Sequence, residues 1–411
     1  MDVVLSKISE IKNTHIIISG SKSESNRLLL LQALFPQLTI ENLSDAADTI
    51  LMKKALENTS NYIDIHHSGT AMRFLTAYFS AQPDREVILS GSSRMKERPI
   101  AVLVNALREM GAEIEYLENE GFPPLKIKGK PLTKNKISVP AHISSQYISA
   151  LILIAPKLEN GLEIILEGKI TSLPYIKMSL ALLNQIGVQA VFKDNHIKIL
   201  KSSVLSDKKI IVESDWSSAS YFYSIIALSK TGTTVTLSSF KQNSFQADRV
   251  LTDIYKYFGV ETTFNNDSSV TLTKAQIHRP EILALDLKDS PDIAQTIAVT
   301  CFGLGIGCHL HGLHTLKIKE TDRLSALKNE IEKLGGKVET TDDSLILKPN
   351  HRILESTSVA TYQDHRMAMA FAPLALKTSL TIKEAEVVSK SYPKFWEDLQ
   401  TIGFKIAQSE K

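Results

Sequence analysis

Cysteine is nearly absent: the 411 residues contain two, Cys301 and Cys308, both in a largely apolar stretch. That excludes a disulfide framework and makes a reducing cytoplasm the natural compartment. Long hydrophobic runs are missing as well. The nearest, Ile148 to Pro156, falls short of the roughly 18 apolar residues that a membrane helix needs. The opening MDVVLSKISEIKN has no apolar core behind a basic flank, so no secretory signal is expected. An excess of one charge is lacking too, since 47 Lys and Arg face 45 Asp and Glu for a net +2. A nucleic-acid or membrane surface needs basic residues in bulk or in a stripe, so neither partner is expected. Only a small local cluster of positive charge stays open. With 43% hydrophobic and 22% charged residues, the composition is that of an ordinary globular chain, long enough for two domains that need no staples.

What the chain does have is a repeat. An amphipathic helix ends in Gly, an alternating strand follows, then a polar turn and often a second strand, as in LVNALREMGAEIEYLENEGFPPLKIKG and LKNEIEKLGGKVETTDDSLILKP. The glycines are Gly111, Gly187, Gly259, Gly335 and Gly403, spaced by 76, 72, 76 and 68 residues. Gly supplies a left-handed helix stop, and the alternation after it lays one strand face on a core. A period near 70 residues leaves room for a further strand and helix, which makes the unit a β-α-β-α-β-β module. One helix is expected over Thr321 to Leu334, where Leu324, Leu327, Ile331 and Leu334 share a face. The fold class is therefore α/β, with modules grouped into two globules. Chain crossings between them are expected near Ile18 to Gly20 and Ile211 to Asp215.

Six segments share a second pattern, in which a strand leads into a small polar residue, a helix starts, and a cation or paired hydroxyls sit at its first turn. They hold Lys22, Ser23 and Arg27; Gly69, Thr70 and Arg73; Ser144, Ser145 and Gln146; Lys319, Glu320 and Arg323; Asp364, His365 and Arg366; and Lys390. Unpaired N–H groups and the helix dipole favour an anion at such a start, and Arg adds bidentate recognition. Any one of them could be an ordinary cap. Together they imply a small-molecule site for a multiply anionic ligand.

Familiar nucleotide motifs do not fit. Positions 16 and 21, where a P-loop ending at Lys22 would place its two glycines, are Ile16 and Ser21, and GLGIG at Gly303 to Gly307 lacks a third glycine in register. Cys308, His309, His311 and His314 match no zinc spacing, so no metal is assigned. Asp292, just after a Pro at the opening of an apolar helix, and Glu320, between Lys319 and Arg323, are either structural carboxylates or acid-base groups.

The segments SGSKSESNR, SGTAMR, RMKERPI, SSQY, SLPYI, SDWSSASYF, SPDIAQTIA, KIKETDRL, YQDHRMAMAF and KSYPKFW resemble, in order, the 5-enolpyruvylshikimate-3-phosphate synthase branch of the enolpyruvyl transferases. The resemblance implies two similar domains, each of three β-α-β-α-β-β units around a pseudo-threefold axis, with the active site in the cleft between them. It implies a discontinuous domain of residues 1–20 plus 213–411 and an inserted domain of residues 21–212. It further implies a cytoplasmic transferase of the shikimate pathway to chorismate and aromatic amino acids, which moves the enolpyruvyl group of phosphoenolpyruvate onto the 5-hydroxyl of shikimate 3-phosphate and releases phosphate. No cofactor is needed, and a monomer is expected.

By the same resemblance, shikimate 3-phosphate would meet Lys22, Ser23, Arg27, Ser144, Ser145, Ser172, Asp292 and Lys319, with Tyr175 beside its ring. Phosphoenolpyruvate would meet Lys22, Gly69, Arg94, Gln146, Arg323, Arg366 and Lys390. Asp292 would take the hydroxyl proton, with Glu320 and Lys22 in the other proton transfers. Seven cations against Asp292 and Glu320 would make the site a formal +5, leaving about −3 for the rest of the chain. The sister enzymes that act on UDP-N-acetylglucosamine usually carry a reactive Cys in the inserted globule, and residues 21–212 contain none. Departures from the family's pattern are His67 in place of Asn, Phe74 in place of Pro, Thr315 in place of Asn, and a short stretch between SDAADTILMKKAL and HHSGTAMR. These are positions where ligand affinity and response to phosphonate inhibitors such as glyphosate would differ.

Overall fold

Each of the five repeat glycines follows a helical segment with φ between 73° and 106°, a region open to Gly without a Cβ penalty. An antiparallel strand pair comes next in four cases, for example Glu113–Tyr116 with Leu125–Lys128 and Val338–Thr340 with Ser344–Leu347. In the fifth the C-terminal strand Lys405–Ser409 pairs with the N-terminal strand Asp2–Ser6, so the two ends of the chain complete one sheet. All five sheets repeat one order. The second hairpin strand lies antiparallel to a third, which runs parallel to a fourth: Leu125–Lys128 beside Glu86–Ser90, and that beside Tyr62–Asp64.

The computed structural model describes residues 1–202, 207–355 and 357–409. Among them a sixth sheet has only the parallel pair, Leu38–Glu41 with Lys208–Ile211. After the helix Ala47–Glu57 the chain reaches Tyr62–Asp64, the first strand of the next sheet, through Asn58 to Asn61 alone. No room is left there for a hairpin, which accounts for the short stretch in the sequence and for five repeat glycines rather than six.

The described residues pack as two compact units, one of Met1–Ser19 with Glu213–Lys411 and one of Gly20–Val212. Three sheets fall in each. Gly20 opens the second unit where a Cβ would lie 1.8 Å from the Asn42 carbonyl, too close for any other residue. Each unit has its own apolar core. A helix apolar on every side must be surrounded. In the first unit that helix is Trp216–Leu228, packed by Ala294–Leu304 and Ala372–Leu376. In the second it is Ser145–Ile154, packed by Lys22–Leu34, Gly69–Ser80 and Leu173–Ile186.

Two local expectations change. The helix expected over Thr321 to Leu334 is Arg323–Lys333, because the Asp322 carboxylate accepts from the N–H groups of Leu324 and Ser325 and so fixes the start. Lys390 is not at a helix start. It closes the 3₁₀ stretch Ala385–Lys390, ahead of the helix Phe395–Thr401. No helix among the described residues is long and apolar enough to cross a membrane.

Candidate active site

In the Gly20–Val212 unit helix starts touch in pairs, and a buried arginine ties further helices together. Lys22, the first residue of Lys22–Leu34, places Nζ 3.1 Å from an oxygen of Asp48, which lies in the first turn of Ala47–Glu57. Arg27 donates to Ser179 Oγ (2.8 Å), Ser149 Oγ (3.1 Å) and the Ser23 carbonyl (2.7 Å), which ties three helices together. Its guanidinium stands 5.4 Å from the Phe74 ring centroid and 5.8 Å from that of Tyr175. Burial brings the Arg27 pKa down to about 10 against the opposing pull of Tyr175 and Glu24, so it stays charged at neutral pH.

Ser144 caps Ser145–Ile154 by accepting from the Gln146 N–H at 3.3 Å. Gln146 Nε2 in turn donates to Thr70 Oγ1 at 3.3 Å, beside Gly69 at the start of Gly69–Ser80. Ser172, the residue before Leu173–Ile186, is left-handed at φ 53° and ψ 42°, an uncommon conformation for a residue with a side chain. Arg73 points back along its own helix and bonds the Gly69 carbonyl at 3.0 Å and that of Pro99 at 3.2 Å.

In the other unit, helix starts again converge, here on one carboxylate. Asp292 sits in the 3₁₀ turn Pro291–Ile293 that leads into Ala294–Leu304. Its oxygens lie 3.0 Å from Arg323 Nη1, 3.3 Å from Arg366 Nη2 and 3.5 Å from Lys319 Nζ. Arg323 also bonds Glu320 at 2.8 Å and Asp364 at 2.6 Å. Asp364 caps His365–Phe371 by accepting from the Arg366 N–H at 2.8 Å. Lys390 Nζ donates to the Gln363 carbonyl at 2.8 Å, one residue before that cap.

Electrostatics follow from these contacts. Burial pushes the Asp292 carboxyl up, but Arg366, Lys319 and Arg323 outweigh it and hold the pKa well below the usual carboxylate range. Asp292 is therefore ionised and, in this arrangement, a weak base. Lys319 lies below the ordinary lysine value: Asp292 raises it, while desolvation with Arg323 and Arg366 prevails. The Arg323 guanidinium is pulled down by burial and lifted further by Asp364, Glu320 and Asp292. Three cations thus meet three carboxylates, so this unit's share of the expected charge, a formal +2 from Lys319, Arg323, Arg366 and Lys390 against Asp292 and Glu320, falls to +1 once Asp364 is counted. Asp364 here, and Asp48 beside Lys22, are counter-charges that the expectation left out.

A family model described as EPSP synthase (3-phosphoshikimate 1-carboxyvinyltransferase) matches residues 54–399. The chain is 44% identical to the 3-phosphoshikimate 1-carboxyvinyltransferase of Bacteroides fragilis, with all of both chains covered. The chain belongs to the EPSP synthase family. It is also 35% identical to the enzyme of the same name from Haemophilus influenzae over 98% of this chain and 99% of that one. A solved EPSP synthase from Acinetobacter baumannii, 21% identical, shares the fold at a TM-score of 0.81 over 99% of this chain and all of the other. The fold class expected from the sequence is thus the one observed.

The two arginines of RMKERPI are placed differently. Arg94, expected at phosphoenolpyruvate, is half exposed and bonded to Glu97 at 2.7 Å. The guanidinium that lies against Gly69 is that of Arg98, whose Nη1 would be 2.5 Å from a Cβ placed there. The signal was present in RMKERPI, which holds two arginines, but spacing alone does not say which one turns inward. The departures are also placed. Phe74 is fully buried beneath Arg27, His67 is half-buried in the turn before the Ser68 cap, and Thr315 Oγ1 is buried without a hydrogen-bond partner. Among the described residues no group of three or more His, Cys, Asp and Glu is placed to hold a metal ion.

Proposed function

We propose that the chain transfers the enolpyruvyl group of phosphoenolpyruvate to the 5-hydroxyl of shikimate 3-phosphate, with release of phosphate, and that it works as a cytoplasmic monomer. The observation that carries the chemistry is Asp292, a carboxylate touched by Lys319, Arg323 and Arg366. Both substrates carry a carboxylate and a phosphate, the groups that such cations and helix starts suit.

We assign shikimate 3-phosphate to Lys22, Ser23, Arg27, Ser144, Ser145, Ser172, Asp292 and Lys319, with Tyr175 beside the ring. Phosphoenolpyruvate is assigned to Lys22, Gly69, Gln146, Arg323, Arg366 and Lys390, with Arg98 in the role expected of Arg94. The 5-hydroxyl oxygen bonds the central carbon of phosphoenolpyruvate while the methylene carbon gains a proton, which gives a tetrahedral ketal phosphate. Loss of a proton from the new methyl group and departure of phosphate then restore the enol ether. Asp292 takes the hydroxyl proton, with Glu320 and Lys22 in the remaining transfers. Its weak basicity without substrate fits this role, because anionic substrates draw Lys319 and the arginines toward themselves and raise its proton affinity. The cations also stabilise charge that shifts during addition and elimination.

The test is phosphate release from phosphoenolpyruvate by purified protein with shikimate 3-phosphate or with UDP-N-acetylglucosamine. Release with the first alone is expected, and release only with the sugar nucleotide would overturn the assignment. Sedimentation of the same sample checks the monomer.

A further inference from the structure

Ser217 and Asp248 lie in sequences that no step above uses, yet they touch the cluster around Asp292. The Asp248 carboxyl is 3% exposed in the 3₁₀ turn Ala247–Val250. One of its oxygens accepts a short hydrogen bond from Ser217 Oγ, on the first turn of Trp216–Leu228. Ser217 Oγ accepts in turn from Arg366 Nη2 at 3.3 Å, and Arg366 Nη1 donates to the Asp292 carbonyl at 3.0 Å. Gln246 fastens this turn to the helix start, since its Oε1 accepts from the Trp216 N–H at 2.9 Å and its Nε2 donates to the Ser214 carbonyl at 2.9 Å. The second Asp248 oxygen is buried with no hydrogen-bond partner.

We propose that Asp248 is a positioning residue for Arg366: it orients the Ser217 hydroxyl to which the guanidinium donates, and the charge on its carboxyl sets how tightly Arg366 holds phosphoenolpyruvate. This rests on the assignment of Arg366 to that substrate. An ionised Asp248 accepts the hydrogen bond from the Ser217 hydroxyl, points the Ser217 lone pairs at Arg366 and adds a negative charge that competes with an incoming anion. A neutral Asp248 can donate to Ser217 and leaves more of the Arg366 charge for the ligand. The bare buried oxygen favours the neutral form, because an ionised carboxylate there lacks its solvation.

The groups facing Asp248 are Asp292, Arg366 and Asp215. Burial first, then the Asp292 and Asp215 charges, push its pKa up to about 7, with Arg366 and the Ser217 bond opposing. An anion bound at Arg366 raises it further. Reciprocity then requires binding to tighten as Asp248 takes up its proton, and so to weaken as pH rises through neutrality.

The test compares the apparent KM for phosphoenolpyruvate, at saturating shikimate 3-phosphate, between about pH 6 and 8.5 in the wild type, Asp248→Asn, Ser217→Ala and Arg366→Lys. Phosphoenolpyruvate itself titrates near about pH 6, as phosphate monoesters do, so the signal is the difference between profiles. Across that range the wild-type KM should rise by about fivefold or more relative to Asp248→Asn, the low end of ordinary coupling. Parallel profiles overturn the proposal. Should Asp248→Asn fail to fold, Ser217→Ala cuts the same link and must raise KM more than it lowers kcat; an unchanged KM overturns the proposal again. Arg366→Lys separates the two levels. An unchanged KM there removes Arg366 from substrate binding, whereas a raised KM with parallel wild-type and Asp248→Asn profiles removes only Asp248.

Discussion

Arg323 and Asp364 form a dry ion pair: Nε and Oδ2 are 2.6 Å apart, and the side chains are 2% and 0% exposed. Such a pair need not add stability over an apolar substitute, but removing one partner strands the other. Asp364 has the further duty of capping the helix that carries Arg366. Asp364→Ala should therefore destabilise the protein by roughly 3 kcal/mol, the low end for a broken buried pair because Arg323 keeps Glu320 and Asp292. Urea denaturation followed by tryptophan fluorescence checks this, and a change below about 0.5 kcal/mol, typical of a surface site, would contradict it.

Gly69 is held small by Arg98. A Cβ at this position would stand 2.5 to 2.8 Å from the guanidinium atoms, so Gly69→Ala must push the arginine aside. The main-chain φ gives no reason for glycine here, since Gly69 is an ordinary helical residue. Expected is a KM for phosphoenolpyruvate raised by about tenfold, the equivalent of about 1.4 kcal/mol, with little change in melting temperature. Unchanged KM would remove both residues from the substrate's surroundings.

Arg94 and Arg98 make a matched pair for mutagenesis. Arg94 is half exposed in a salt bridge three residues long in sequence, so Arg94→Ala should shift stability by less than about 0.5 kcal/mol and leave kcat/KM near wild type. Arg98→Ala removes a cation from the start of Gly69–Ser80 and should lower kcat/KM by about a hundredfold, or roughly 2.7 kcal/mol. The reverse ranking would return the phosphoenolpyruvate role to Arg94.

How much could be read beforehand depended on whether a residue has one use or two. A glycine after a helix has one, and the five repeat glycines marked five four-stranded sheets. The sixth sheet left no mark because its hairpin is missing, and the N-terminal strand Asp2–Ser6 joins Lys405–Ser409 across the whole chain, which no local pattern reveals. Cations at helix starts stood out, since few structural roles call for them. Their counter-ions did not: Asp364 looks like a cap and is one, while it also neutralises Arg323. Asp48 and Asp248 sit in first turns, where acidic residues are ordinary, and only packing reveals what they face.

Asp248 also makes a statement about stability. Its folded pKa of about 7 lies above the ordinary carboxyl value of 3.8, so between those two values the native state holds a proton that the unfolded chain releases. Stability from this group is thus fully present below about pH 4 and is lost progressively as pH rises through about 7. Asp248→Asn keeps the shape and never ionises. The variant should be more stable than wild type at about pH 8, by on the order of 1–4 kcal/mol, and the gap should close as pH falls toward about 4. Thermal melts at several pH values decide it. A gap that is constant with pH would mean that the carboxyl does not titrate in this range, and a variant less stable at pH 8 would mean that its charge is welcome beside Arg366.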